Sequence, residues 1–71
     1  MEIQSIIFER SIWNLKNAKI WLLKHNYKTN FYGKQVDITP NYFRFRQTAP
    51  KYATYKTKSL NNGIILILGK H

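Results

Sequence analysis

Short stretches that are rich in isoleucine, or that alternate apolar with polar residues, recur along this chain. Alternation with a period of two is typical of β-strands, because successive side chains of a strand point to opposite faces. The pattern predicts strands at residues 2–8, 36–39, 42–47, 52–60 and 64–69. Asn61, Asn62 and Gly63 tolerate positive φ, so the last two strands are predicted to form a hairpin.

A single segment has the spacing of an amphipathic helix. Its apolar arc follows i, i+3 and i+4 steps and consists of Leu15, Ala18, Trp21, Leu22 and His25. Asn14 can accept hydrogen bonds from the unpaired amides of the first turn, and Ser11 is the alternative cap. Asn26 tolerates the left-handed conformation that ends a helix. We therefore expect a helix between Asn14 and Asn26.

The predicted elements follow the order β-α-β-β-β-β, with a loop around Gly33, a turn at Pro40 and a strand that ends before Pro50. One amphipathic helix can cover only one face of a sheet. A chain of 71 residues has room for a single domain. The sequence thus predicts one two-layer α+β domain over residues 1–71, with the helix packed on a mainly antiparallel sheet.

Positive charge dominates the composition. Twelve Lys and Arg residues against three acids give a formal net charge of +9 and a pI of about 10.1. Such a charge favours nucleic acid, an anionic membrane surface or an acidic protein as the partner. The chain has no cysteine, no signal-like segment and no apolar run long enough to cross a bilayer. We expect a soluble intracellular protein without disulfides and without a membrane partner.

Catalytic chemistry has little support in the sequence. The acids are Glu2, Glu9 and Asp37, and the histidines are His25 and His71. They do not form an acid–base pair, a nucleophile with its base or a metal-ligand spacing, and no glycine-rich phosphate loop is present. We predict that the chain is not an enzyme and uses no cofactor, metal ion or small-molecule substrate.

The stretch at residues 42–47 alternates aromatic residues with arginines. Phe43 and Phe45 should face the helix, which leaves the tyrosine and the arginines on the other face. If the third and fourth strands are neighbours, that face gathers Tyr42, Arg44, Arg46, Tyr52, Lys56 and Lys58. Arg and Lys neutralise phosphates, and exposed Tyr rings stack on unpaired bases. We predict that this surface binds DNA or RNA, largely through phosphate contacts.

The basic residues of this surface could equally serve roles that need no nucleic acid. Lysines on an edge strand prevent aggregation, which would account for Lys56 and Lys58 without a ligand. Long basic side chains can also cover aromatic residues with their aliphatic stems. An acidic protein would suit the same face as well as nucleic acid does.

The apolar pattern supports a second hypothesis, a self-associating interaction module. Ile20 and Leu23 lie off the apolar arc of the helix, so they are expected to be exposed. Ile65 and Ile67 give the last strand a second apolar face, and such strands are usually buried on both sides. We predict that these four residues contact another subunit.

Several motifs occur together along nearly the whole chain. They are Trp13, the triplet Ala18, Trp21 and Leu22, the helix end HNYK at residues 25–28, RFRQ at residues 44–47, and Gly63 and Gly69. Together they resemble a small protein family of large DNA viruses of eukaryotes, which is similar to a segment in some phage head-maturation proteins. The resemblance implies a viral origin and a virion context, and it transfers no catalytic residue. For a basic viral protein that binds nucleic acid, we predict a packaging or accessory role. Ile20 and Leu23 depart from the family pattern, which has Lys or Glu there.

Overall fold

The computed structural model describes residues 2–30, 36–49 and 51–70. Gly33, Pro50 and His71 lie outside these ranges. Within them, one helix packs on a five-stranded antiparallel sheet, which confirms the predicted α+β class. The elements in chain order are β1 (Glu2–Glu9), α1 (Leu15–Lys24), β2 (Asp37–Ile38), β3 (Tyr42–Arg46), β4 (Thr54–Ser59) and β5 (Ile64–Lys70).

The isoleucine-rich strand β1 lies at the centre of the sheet, whose strand order is β2-β3-β1-β5-β4. It pairs antiparallel with β3 on one side and with β5 on the other. β4 joins the sheet through its hairpin with β5, and the short β2 pairs with β3 at the opposite edge. β1 and β5 therefore separate β3 from β4, and the adjacency on which the predicted basic surface depended is not met.

The helix begins at its predicted N-cap, and the predicted stop residue Asn26 directly follows the C-cap His25. Asn14 Oδ1 accepts a hydrogen bond from the Asn17 amide at 2.8 Å, so Asn14 is the N-cap. Asn26 has a φ of 62°, the left-handed conformation that lets the chain turn away from the helix. Among the described residues, no helix has the length and apolar character that a membrane span requires.

The core forms where α1 meets β1, β3 and the start of β5. Its buried members are Ile6, Phe8, Ala18, Leu22, Phe43, Phe45 and Ile64. The ring of Phe8 makes edge-to-face contacts with Trp13, Trp21 and Phe45, at centroid distances of 5.1, 5.7 and 5.6 Å. Such pairs are favourable beyond the burial of their area, so they help to fix the helix on the sheet.

Two polar links tie irregular segments to this core. Gln47 is buried, and its side chain accepts from the Lys28 amide at 2.8 Å and donates to the Lys28 carbonyl at 2.9 Å. Trp13 Nε1 donates to the Asn62 carbonyl at 2.7 Å. Gly63 has a φ of 78° in the same turn, as the predicted hairpin requires. The segment after α1 and the β4–β5 turn are both held to the domain in this way.

Candidate functional site

Strand pairing assigns each side chain to one of two faces, because directly paired residues of antiparallel strands point the same way. The face that packs on α1, here called the helix side, carries Ile6, Phe8, Phe43 and Phe45. The opposite face, here called the open face, carries Ser5, Ile7, Glu9, Tyr42, Arg44, Arg46, Ile65 and Ile67. The predicted outward orientation of Tyr42 and the two arginines is therefore confirmed.

The two lysines of β4 do not join those arginines. Lys56 pairs with Leu68, and Lys58 pairs with Leu66. Leu66 in turn pairs with Ile6 of the core, so both lysines belong to the helix side. The placement predicted for Lys56 and Lys58 is wrong, because β4 is positioned by its register with β5 and not by contact with β3. The open-face row of β4 consists of Tyr55, Thr57 and Ser59.

Tyr52 precedes β4 and does not offer its ring for stacking. Only 8% of the residue is exposed, and its ring covers Gly69, where an added Cβ would lie 2.2 Å from the ring. Its hydroxyl donates to the Glu2 carboxylate at 2.5 Å and lies 2.8 Å from Thr48 Oγ1. The hydrogen bond to Glu2 raises the pKa of Tyr52, because the carboxylate accepts the phenolic proton. The predicted stacking role does not fit this burial.

Arg46 faces a carboxylate on the open face. Its Nε lies 3.2 Å from Asp37 Oδ2, and both side chains are partly exposed. Asp37 pairs directly with Arg44, so its contact with Arg46 runs diagonally across β2 and β3. An exposed ion pair of this kind contributes roughly 0–1 kcal/mol to stability. It also offsets the charge that Arg46 would otherwise present to a phosphate.

Arg44 is held by neutral groups. Its Nε donates to Ser5 Oγ at 3.1 Å, and its Nη2 donates to Gln4 Oε1 at 3.2 Å. Gln4 and Ser5 are only 1% and 0% exposed. The register of β1 against β5 shifts between Ile3 and Ser5, which is the mark of a β-bulge at Gln4. The bulge lets two consecutive polar side chains reach the guanidinium.

The acidic residues all lie on the open face. Glu9 pairs with Tyr42, and Asp37 pairs with Arg44. Glu2 pairs with Gly69, which continues the open-face row of β5. These are the three acids of the whole sequence. The helix side therefore has no carboxylate side chain from any element.

Lysines, in contrast, collect on the helix side. Lys56 and Lys58 project from β4, and Lys70, which pairs with Thr54, continues the helix-side row of β5. Lys16 and Lys24 are exposed on α1, which forms the outer layer of the same side. The sheet thus separates a lysine-rich side from a face on which arginines and acids are mixed.

The four predicted oligomer contacts do not form one surface. Ile20 and Leu23 are 40% and 64% exposed on the outer surface of α1. Ile65 and Ile67 are partly buried on the open face, beside Ile7. Because α1 packs on the other face of the sheet, the two pairs lie on opposite sides of the domain.

No metal-binding group is present within residues 2–30, 36–49 and 51–70, where no cluster of three or more His, Asp and Glu side chains occurs. His25 stacks on Trp21 at a centroid distance of 4.0 Å, and its Nδ1 lies 2.8 Å from the Trp21 carbonyl oxygen. This histidine therefore serves the end of the helix, as its position in the sequence suggests.

Two features of the open face escaped prediction from the sequence. One is the buried pair Gln4 and Ser5, and the signal for it was a polar interruption in an isoleucine-rich strand. Buried polar groups in strands are nearly always hydrogen-bonded, so a partner was to be expected. The other is the row that begins at Tyr55, whose face follows only from the register of β4 with β5.

Comparison with protein-family models, with curated proteins and with solved structures finds no match for this chain. The resemblance to a viral family therefore stays a prediction.

Proposed function

We propose that this protein is a non-catalytic module that binds nucleic acid by contacting phosphates with its helix side. The surface concerned, called the lysine surface, consists of Lys16, Lys24, Lys56, Lys58 and Lys70. It takes the place of the surface predicted from the sequence around Arg44 and Arg46. Sequence-independent phosphate contacts suit it, because its charged groups are flexible ammonium side chains and not the planar forks that read bases.

The main support for this proposal is that the sheet separates the lysines from the acidic side chains. A phosphate chain that approaches the helix side meets lysines and no carboxylate side chain. On the open face, the same chain would meet Glu9 beside Tyr42 and Asp37 beside Arg46. Electrostatic attraction and counterion release both favour the side on which positive charge is not offset.

The edge strand β4 presents two of these lysines in a regular array. Every residue of β4 is exposed, and Lys56 and Lys58 lie about 7 Å apart along the strand on one face. Their pairing partners Leu68 and Leu66 lie beside the aliphatic stems. The stems can therefore cover apolar surface while the ammonium groups stay in water, ready for phosphates. Protection of the edge against aggregation is compatible with this role.

A salt titration of DNA binding tests the proposal. Each phosphate contact steepens the fall of log K with log salt by roughly 0.7 for single strands and 0.9 for duplexes. We predict that Lys56→Gln/Lys58→Gln reduces the slope for a single-stranded oligonucleotide by about 1.4, because two contacts are lost. Fluorescence anisotropy of a labelled oligonucleotide between roughly 50 and 200 mM salt provides the measurement.

The matched control is Arg44→Gln/Arg46→Gln, which removes the same charge from the open face. We expect its slope to stay close to that of the wild type, once circular dichroism has shown that both variants are folded. If the slope of log K against log salt decreases more in the arginine variant than in the lysine variant, phosphate binding belongs to the open face. Binding that does not weaken with salt in the wild type would contradict a nucleic-acid function altogether.

The resemblance to a viral family supports a more specific role within this proposal. A small basic module without strong sequence preference suits the packaging of a genome, or an accessory step that needs nucleic acid to be held. An infected host cell, or the virion, would be the place where such a protein acts.

A second candidate function is a self-associating interaction module in a virion, and the exposure of Ile20 and Leu23 favours it. We predict that, if α1 joins subunits, light scattering shows an oligomer that Ile20→Glu/Leu23→Glu dissociates. The control is Ile38→Glu, which adds a charge at an exposed isoleucine of β2. A monomer at high concentration would contradict this candidate.

A further inference from the structure

A shallow groove of about 450 Å³ lies on the open face, on the opposite side of the sheet from the lysine surface. Four strands contribute to it. Its lining residues are Gln4, Ile7, Arg44, Tyr55, Thr57 and Ile67. They combine an apolar floor with hydroxyl groups and one guanidinium, a composition typical of sites for small organic ligands.

The guanidinium of Arg44 is positioned by a closed network of buried groups. Ser5 Oγ donates to Gln4 Oε1 at 2.6 Å, and Gln4 Nε2 donates to the Thr48 carbonyl at 3.0 Å. Arg44 donates to both of these side chains, which are almost completely buried. A charged group whose acceptors are fixed in this way loses little conformational freedom when a ligand binds.

The network leaves part of the guanidinium available. An arginine carries five N–H donors, and the bonds from Nε and Nη2 occupy one edge of its plane. The end formed by Nη1 and Nη2 retains a parallel pair of N–H groups, which matches the two oxygens of an oxyanion. Both acceptors are neutral, so these contacts do not offset the positive charge of Arg44.

The surroundings select the kind of anion. Ile7 and Ile67 form a partly buried apolar floor, and the exposed ring of Tyr55 stands at the rim. Glu9 and Asp37 on the same face repel a polyanion such as nucleic acid. A single negative charge that is placed on Arg44 meets less of that repulsion than a polyanion does, and an apolar group attached to it covers the floor.

We propose that this groove binds a carboxylate that carries an apolar or aromatic body, with the carboxylate on Arg44 and the body on Ile7 and Ile67. The carboxylate belongs either to a free organic acid or to the C-terminal residue of a peptide, since both present the same chemistry. The site is independent of the proposed nucleic-acid surface, because the two share no residue.

Methyl NMR on the full chain, with isoleucine and leucine methyl groups labelled, tests this site. The probes are 3-phenylpropanoate and its uncharged amide, together with a short peptide that ends in phenylalanine as the acid or the amide. We expect the acids to shift the methyl signals of Ile7 and Ile67 and to bind about tenfold more tightly than the amides, because only the acids accept a charge-assisted bond from Arg44. Tighter binding of the free acid indicates a small-molecule ligand, and tighter binding of the peptide indicates a protein segment.

Two variants separate a ligand site from a structural network. Arg44→Gln should weaken the binding of the acid probes about tenfold and leave the binding of the amide probes unchanged. Thr57→Glu leaves the buried network intact and places a carboxylate in the groove. It should therefore weaken the binding of the acid probes by a similar factor. Ser59→Glu is its control, because it adds the same charge on the same strand and face outside the groove lining.

Several results would overturn the proposal. One is equal binding of acid and amide, and another is unchanged acid binding in the Thr57→Glu variant. A third is a stable dimer that buries Ile7 and Ile67 and excludes the probes, since a second copy of the chain would then fill the groove. Loss of nucleic-acid binding in the lysine variant would leave all three of these readouts unaffected.

Discussion

Gly69 makes room for the ring of Tyr52, and the fit is close enough to test. A Cβ at position 69 would lie 2.2 Å from Tyr52 Cδ2. The ring cannot swing aside freely, because its hydroxyl is bonded to Glu2. We predict that Gly69→Ala lowers the free energy of unfolding by roughly 1–3 kcal/mol, the usual cost of overpacking. Urea denaturation of the purified protein measures this change.

The same substitution in a Tyr52→Ala background provides the control. Without the ring, the added methyl group has space, so Gly69→Ala should cost well under 1 kcal/mol there. If the substitution costs as much in both backgrounds, the ring of Tyr52 is not the reason that position 69 needs glycine.

These residues also show what a local pattern can predict. The orientation of Arg44 and Arg46 follows from the alternation with Phe43 and Phe45, a property of neighbouring residues. Tyr52 lies before β4 begins, where alternation no longer applies. Its environment depends on Glu2, which is fifty residues away in the sequence. The burial of Tyr52 therefore cannot be predicted from its neighbours in the sequence.

Among the secondary-structure elements, the start of α1 is the feature that the sequence predicts best. Asn14 caps α1 through its bond from the Asn17 amide, whereas Ser11, the alternative cap, lies outside the helix. We predict that Asn14→Ala costs about 1 kcal/mol of stability, because one amide of the first turn loses its partner. Thermal denaturation followed by circular dichroism checks this, with Ser11→Ala as the control. An equal loss for both variants would contradict the assignment.

The order of the strands could not be predicted in the same way. Caps, turns and alternation act over a few residues, and they correctly indicated the helix, the β4–β5 hairpin and the positions of all five strands. The order β2-β3-β1-β5-β4 depends on contacts between distant segments. Local patterns do not determine such contacts. That order separates β3 from β4, and the register of β4 with β5 turns Lys56 and Lys58 to the face opposite Arg44.

At the scale of the whole molecule, net charge and charge distribution carry different information. The sequence alone provides the net charge of +9, from which an anionic partner is predicted. Only the sheet register reveals that the acids share one face and that β4 directs its lysines to the other. The excess of positive charge could therefore be read from the sequence, whereas the side of the sheet that carries the lysines could not.

Strand β5 offers a direct readout of the two faces. Its consecutive residues alternate, so Leu66 and Leu68 lie on the helix side beside the lysines of β4, while Ile65 and Ile67 lie on the open face. These four residues are close in sequence, but the labelled methyl groups of the two leucines and those of the two isoleucines lie on opposite faces of the sheet. A ligand that binds one side should therefore shift one pair of signals and spare the other.

Titration of this labelled protein with a single-stranded oligonucleotide at low salt tests the central claim, that nucleic acid binds the helix side. We predict that the methyl signals of Leu66 and Leu68 shift, and that raising the salt concentration returns them to their free positions. We also predict that Ile65 and Ile67 keep their free positions throughout. Shifts of the two isoleucines without shifts of the two leucines would contradict the claim.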